Sequence, residues 1–323
     1  MAEGAENQSI GLKCKEDPSC VVIGGTHILE WRSASPSNII VVCIHGLGMC
    51  ARAYKPLAKD FADAGIDGYG INVRGFGPDR SMPEREKLDC VQTLEDVKSL
   101  LRSLRNKEPK RKIVVIGESM GGALAMRLAV ESPELVDAVV CSAPAWKIVR
   151  LKRTIAKGVV ELFLLPSEKP GMASKGIVSQ ATRDDNLTEH LLQDSSHKIK
   201  LGFGEARAFL KFISKTDCFA KRLDKPILVI QGLNDRLVPP LSVAKLYREI
   251  PSDHKVFLID AKSEHLILEE GGYSLELLEY VLTWLKKIEK ENLPVSEIGS
   301  IGDKDLTSKK LIKLQKLKLK AQG

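Results

Sequence analysis

Three residues of this chain have the types and the order that could do nucleophilic chemistry: Ser119, Asp235 and His265. A serine hydroxyl is a poor nucleophile at neutral pH. It needs a base to take its proton, and the base needs an acid to fix its tautomer and stabilise its cation. Ser119 stands in Gly117-Glu118-Ser119-Met120-Gly121, between the apolar run Ile113-Val114-Val115-Ile116 and the helical pattern Ala123 to Val130. That reads as a strand, a sharp turn with serine at its apex, and a helix. A serine so placed has its Oγ held above the sheet edge. Asp235 follows the apolar run ending at Ile230, and His265 follows the one ending at Ile259. Serine, acid, histidine is the chain order expected after such an elbow, each partner on a loop past a strand. Asp224 precedes its strand, and Asp260 is too close in sequence to reach the far side of His265. His27, His190, His197 and His254 place worse than His265. The plainer alternatives are a glycine-rich turn that only binds an anion at a helix N-terminus and a surface histidine.

A tetrahedral intermediate also needs donors for its oxyanion. One expected donor is the N–H of Met120, just past the serine. The other is that of Leu47 in His45-Gly46-Leu47-Gly48, where glycines let backbone face a site. The same turn, through His45, Gly46, Gly48 and Met49, is expected to line the substrate pocket.

The elements that must hold these residues alternate along the chain. Val21 to Ile23 and His27 to Trp31 suggest a strand pair around Gly24-Gly25. Ile39 to Ile44 is continuously apolar, the kind of strand buried on both faces of a parallel sheet. Strands at 69–73, 113–116, 138–141, 226–230 and 256–259 follow, with helical patterns between most of them, which predicts a mostly parallel sheet with helices on both faces. From 144 to 218 the alternation breaks into mainly helical pattern. An insertion after the sixth strand predicts a lid over the edge where active sites of such sheets lie.

Residues 1–18 are polar and are expected to be flexible. The catalytic domain is expected over 19–290. Residues 291–323 are expected to be a basic, disordered tail, because the apolar residues there spread too widely on a helical wheel for a sharp stripe. From Thr307 to Gly323 there are six lysines and no acid, and taking them from the formal charge of +7 leaves the body at +1. A nearly neutral body argues against nucleic-acid binding. Seven irregularly spaced cysteines with no Cys-x-x-Cys suggest reduced thiols and a cytoplasmic setting. No metal site and no cofactor requirement are evident. Nor is there a run of about 18 apolar residues to span a membrane. In the insert, Ile148, Leu151, Ile155, Val159 and Leu162 share one helical face, with Lys147, Arg150, Arg153 and Lys157 opposite. A lid helix over 147–162, or the tail over 304–320, could therefore touch an anionic membrane as a peripheral contact. Packing of the lid on the core is the plainer reading.

His45-Gly46-Leu47-Gly48, Asn72-x-Arg74-Gly75-x-Gly77, Gly117 to Gly122, Gly232-x-x-Asp235 with Val238-Pro239, and Glu264-His265 together resemble the α/β-hydrolases of the monoacylglycerol lipase and lysophospholipase group, the serine-aminopeptidase-like branch. The resemblance covers about residues 20 to 290. It departs at Asn72 and Phe76, where the family commonly has an acid and a histidine, and at Glu118, where many members have histidine. It implies an α/β-hydrolase fold and a serine hydrolase that cleaves carboxylic esters with a medium or long acyl chain through an acyl-enzyme. A peptidase or thioesterase on the same triad is the alternative. A non-catalytic ligand receptor on this fold is a third reading, and it would be expected to have lost a triad member.

Overall fold

The computed structural model describes residues 19–146, 181–193, 201–293, 295–304 and 306–322. The expected flexible N-terminus, 1–18, and lid helix, 147–162, lie outside them. One nine-stranded sheet runs through the molecule in the order β1-β2-β4-β3-β5-β6-β7-β8-β9. Its strands are β1 (Cys20–Ile23), β2 (Thr26–Trp31), β3 (Ile39–Ile44), β4 (Asp67–Ile71), β5 (Lys112–Glu118), β6 (Ala138–Ser142), β7 (Ile227–Gly232), β8 (Lys255–Asp260) and β9 (Glu297–Ile301). Only β1–β2 and β2–β4 pair antiparallel; the remaining neighbours are parallel.

The unbroken apolar strands follow from helices on both faces. In β3, Ile40, Val42 and Ile44 enter one core cluster while Ile39, Val41 and Cys43 enter another. Helices α2 (Cys90–Lys107) and α3 (Met120–Glu131) cover the first face, and α1 (Lys55–Asp63) and α8 (Leu275–Glu289) the second. Alternation at period two, with both faces covered, leaves every residue of β3, β4, β6 and β7 buried. The described part of the insertion is helical: α4 (Asp185–Gln193), α5 (Phe203–Ile213) and α6 (Thr216–Ala220). Helix α7 (Pro240–Glu249) links β7 to β8.

The chain's end corrects the sequence expectation. Residues 291–323 are not simply a tail: β9 extends the sheet beside β8, and α9 (Ser308–Gln322) packs against α7. Of the apolar residues in α9, Leu314, Leu317 and Ala321 are buried, whereas Leu311, Ile312 and Leu319 are exposed. A narrow stripe at i, i+3 and i+7 suffices, because packing rather than intrinsic helicity supplies most of a helix's stability. Reading all the apolar residues as one face concealed it. Among the described residues, no helix is long and apolar enough to cross a membrane.

Candidate active site

The site lies where β3, β5, β7 and β8 end. Ser119 joins β5 to α3 with φ 52° and ψ −110°, a left-handed backbone for a side-chain-bearing residue. Such conformations cost on the order of 1–3 kcal/mol and persist only where the surroundings impose them. Here they do. A Cβ on Gly121 would lie 1.8 Å from the carbonyl oxygen of Ile44, and one on Gly117 would lie 2.2 Å from the Gly121 carbonyl. Strand, turn and helix are therefore pressed together with no room for a side chain, and Ser119 is left half-buried at the apex. Its own N–H donates to the Ser142 carbonyl at 2.8 Å, tying the elbow to β6.

Past β7, the Asp235 carboxylate is oriented by four donors. Leu237 and Val238 N–H donate to Oδ1 at 2.8 and 2.9 Å. Gln231 Nε2 donates to Oδ2 at 3.0 Å, and His265 Nδ1 lies 2.9 Å from the same oxygen. A carboxylate can only accept, so the imidazole proton is on Nδ1 and the Nε2 lone pair is free to act as a base. Both side chains are almost wholly buried. Burial by itself lowers the His265 pKa, but the Asp235 charge and hydrogen bond, with a smaller contribution from Glu118, outweigh it and leave the pKa raised. The two loops meet because Gly232 has no side chain: a Cβ there would fall 2.0 Å from the Glu264 carbonyl oxygen. The insertion reaches this loop too. Ala181 carbonyl accepts from His265 N–H, and Arg183 N–H donates to Glu264 at 2.6 Å.

The turn after β3 is held from several sides. Gly46 N–H donates to Glu269 Oε1 at 2.7 Å. The Gly46 carbonyl accepts from His45 Nδ1 at 2.8 Å and from Met49 N–H at 3.2 Å. In a trans peptide the next N–H points opposite to the carbonyl, so Leu47 N–H is directed away from those two donors. Met120 N–H belongs to the first residue of α3, where helix amides lack intrahelical acceptors. His45 itself is wholly buried, with Val73 N–H donating to its Nε2 at 2.9 Å. Its ring therefore braces the turn rather than lining a pocket, which departs from the sequence expectation. Gly46 and Gly48 are buried, and Gly48 has φ 92°. Met49 packs with Ala53 and with Leu191 of α4, beside Leu187 and Leu266.

The residues at the sequence departures also have structural work. Phe76 packs edge-on against His45, with ring centroids 5.4 Å apart. Asn72 Oδ1 accepts from Ala51 N–H at 2.9 Å. Arg74 pairs with Asp96 through two 2.8 Å hydrogen bonds, and Arg85 bridges Asp96 and Asp79 at 2.7 Å. Sequence reasoning missed Gln231, Glu269 and the pairing partners of Glu118. Gln231 gave one signal, a polar residue at the end of a fully apolar strand. Glu269 gave none, because nothing local marks which of Glu264, Glu269 and Glu270 turns inward. Among the described residues, no group of His, Cys, Asp and Glu is placed to hold a metal ion.

Comparison with known proteins bears on this arrangement. A family model described as "Serine aminopeptidase, S33" matches residues 35–272. A monoacylglycerol lipase of Mycolicibacterium smegmatis is 27% identical over 277 residues, which is 84% of this chain and 97% of that protein. A monoglyceride lipase of Rattus norvegicus is 21% identical over 79% of this chain and 84% of its own length. Among solved structures, a soluble variant of monoglyceride lipase from Saccharomyces cerevisiae in complex with a substrate analog aligns with TM-score 0.66 at 17% identity, over 86% of this chain and 96% of that one. The monoacylglycerol lipase of Paleococcus ferrophilus aligns with TM-score 0.65 at 20% identity, over 81% of this chain and 99% of that one.

Proposed function

The chain belongs to the serine aminopeptidase-like (S33) family of α/β-hydrolases, and we propose that it is a serine ester hydrolase acting on lipid-like esters with a medium or long acyl chain, monoacylglycerol-like or lysophospholipid-like. One observation carries this reading: the 2.9 Å contact from His265 Nδ1 to Asp235 Oδ2, on loops that flank the strained Ser119. In the proposed reaction Ser119 Oγ attacks the ester carbonyl while His265 Nε2 takes the hydroxyl proton. Asp235 holds the resulting imidazolium in place, and the N–H groups of Leu47 and Met120 receive the oxyanion. As the intermediate collapses, His265 gives the proton to the departing alkoxide, leaving an acyl-serine. Water, deprotonated by His265, then attacks the acyl carbonyl and releases the acid and free Ser119. Every proton is returned, and because hydrolysis changes no oxidation state the cycle needs no redox partner.

Two observations support the acyl-chain preference. The relatives named above are monoacylglycerol and monoglyceride lipases, and the apolar group of Met49, Ala53, Leu191 and Leu266 adjoins the turn proposed to hold the oxyanion. The family description itself favours one alternative, a peptidase. A panel of monoacylglycerols, lysophospholipids, acyl thioesters and aminoacyl anilides separates the two. Faster turnover of anilides than of esters would overturn the ester reading. The reading extends to a peripheral contact with anionic lipid through α9, whose exposed Leu311, Ile312 and Leu319 lie among its lysines.

A further inference from the structure

Directly beneath the elbow lie two carboxyl groups that the proposed chemistry does not use. Glu118 and Glu269 are both fully buried. Among the described residues neither forms an ion pair. The Glu118 carboxyl sits against consecutive backbone amides of the histidine loop: Ile267 N–H donates to Oε1 at 2.8 Å and Leu268 N–H to Oε2 at 2.6 Å, with the Glu269 amide also contributing. Successive N–H groups of this kind form a cradle for an anion. Glu269 is arranged differently. Its Oε1 accepts the single N–H of Gly46, and its Oε2 has no hydrogen-bond partner among the described residues. That orphaned oxygen lies 3.2 Å from where a Cβ on Gly46 would stand, a point also 3.5 Å from the Glu118 carbonyl oxygen and 3.6 Å from Ser119 Cβ.

Two neighbouring carboxyls in a buried space, with no cation paired to either among the described residues, cannot both ionise at moderate cost. The amide cradle favours the charge on Glu118, which leaves the proton to Glu269. We propose that Glu118 and Glu269 form a one-proton carboxyl pair whose two arms, one on the histidine loop and one on the turn after β3, set the position of both against the Ser119 elbow. They are positioning residues. Glu118 is bonded in sequence to Ser119 and by hydrogen bonds to the residues two and three past His265. Glu269 holds Gly46, whose carbonyl orientation decides where Leu47 N–H points. The pair rests on the proposed hydrolase reading, since its effect is exerted on that machinery.

The pH behaviour has a defined direction. Burial lifts both carboxyls above the ordinary range, and the Glu118 charge lifts Glu269 further. The other titratable groups facing the pair are Tyr54 from the turn before α1, Cys43 from β3, and His265 and Glu270 from the loop that carries Glu269. Burial keeps the Tyr54 hydroxyl and the Cys43 thiol protonated, with the Glu118 charge adding at Tyr54. Losing the Glu269 proton at alkaline pH would place two anions together and push the turn and the loop apart.

The test uses the full chain with a soluble short-chain nitrophenyl ester. Glu269→Leu should lower kcat at least tenfold with KM changed less than about threefold, as expected for loss of an interaction realised only in the transition state. Glu269→Gln, a permanently neutral isostere that keeps the oxygen facing Gly46 N–H, should recover most of that loss and move the alkaline fall of kcat to higher pH. Infrared difference spectra provide a readout independent of activity: the wild type at neutral pH should show a buried protonated-carboxyl band that Glu269→Gln lacks. Identical alkaline limbs for wild type and Glu269→Gln, or identical carboxyl bands, would overturn the pair. Wild-type protein that hydrolyses none of the esters, yet shows the band difference, would instead overturn the hydrolase reading and leave the pair standing.

Discussion

Gly232→Ala tests whether the two loops behind the proposed catalytic dyad are held at fixed separation. A Cβ at this position would lie 2.0 Å from the Glu264 carbonyl oxygen and 2.7 Å from that of Ser263, whereas ordinary contact begins near 3.4 Å. The obstructing atoms are backbone, so no rotamer change relieves them, and the loop must retreat by about 1.4 Å. His265 is the residue after Glu264, and its Nδ1 stands 2.9 Å from Asp235 Oδ2. A retreat of that size takes the hydrogen bond past its working range. Misplacement by about 1 Å costs on the order of 10²-fold in rate, and loss of the fixed tautomer adds to it. We expect kcat on a nitrophenyl ester to fall at least 100-fold, with phosphonylation of Ser119 by a fluorophosphonate slowed in parallel. Gly204→Ala is the control, since a Cβ there meets nothing within 4 Å. Circular dichroism is the check that both variants are folded. A folded Gly232→Ala protein with kcat within threefold of wild type would refute the reasoning.

Asp235→Asn should cost roughly 10⁴-fold in kcat, because the amide no longer fixes the histidine tautomer, whereas the exposed Asp224→Asn should stay near wild type; the ranking is read from kcat. The acid limb of kcat/KM reports His265, whose raised pKa should place that limb above the usual histidine value, and removing the Asp235 charge should move it down, measured across a pH series. Because burial and the Glu118 charge raise Glu269 in the folded state, the stability its protonated form supplies is full below the unfolded carboxyl range and is lost as pH rises through its folded value, so Tm should fall toward alkaline pH less steeply in Glu269→Gln than in wild type. Truncation after Lys290 removes β9 and uncovers the face of α7 that Leu314, Leu317 and Ala321 cover; it should lower Tm by several degrees or leave the protein insoluble, while Lys309→Glu with Lys316→Glu should keep Tm and weaken salt-sensitive binding to anionic vesicles.

Much of the fold was legible because burial on both faces writes itself into sequence as unbroken apolar runs. Residues 39–44, 113–116 and 227–230 could be little else, and the glycines at 117 and 121 marked where strand and helix collide. The order of Ser119, Asp235 and His265 was legible for the same reason, since each follows such a run. What was hidden depends on partners distant in sequence. The β9 strand, Glu297–Ile301, is short, half-polar and defined by the edge of β8. Helix α9 shows its buried stripe only once α7 is known to lie beneath it. His45 appeared to face a substrate because its type suggests chemistry, yet Val73 N–H and the Gly46 carbonyl occupy both its nitrogens. Glu118 was visible only as a departure from a common pattern, and its partners, 149 and 150 residues away, could not be read locally.

Whether Ser119 is the attacking nucleophile is decided by mass spectrometry of the protein after reaction with a fluorophosphonate, with Ser119→Ala carried in parallel. One adduct per chain is expected on the peptide containing Ser119, together with loss of ester hydrolysis on the order of 10⁴-fold or more in the variant. An adduct on another residue, or near-wild-type turnover by folded Ser119→Ala, would contradict it.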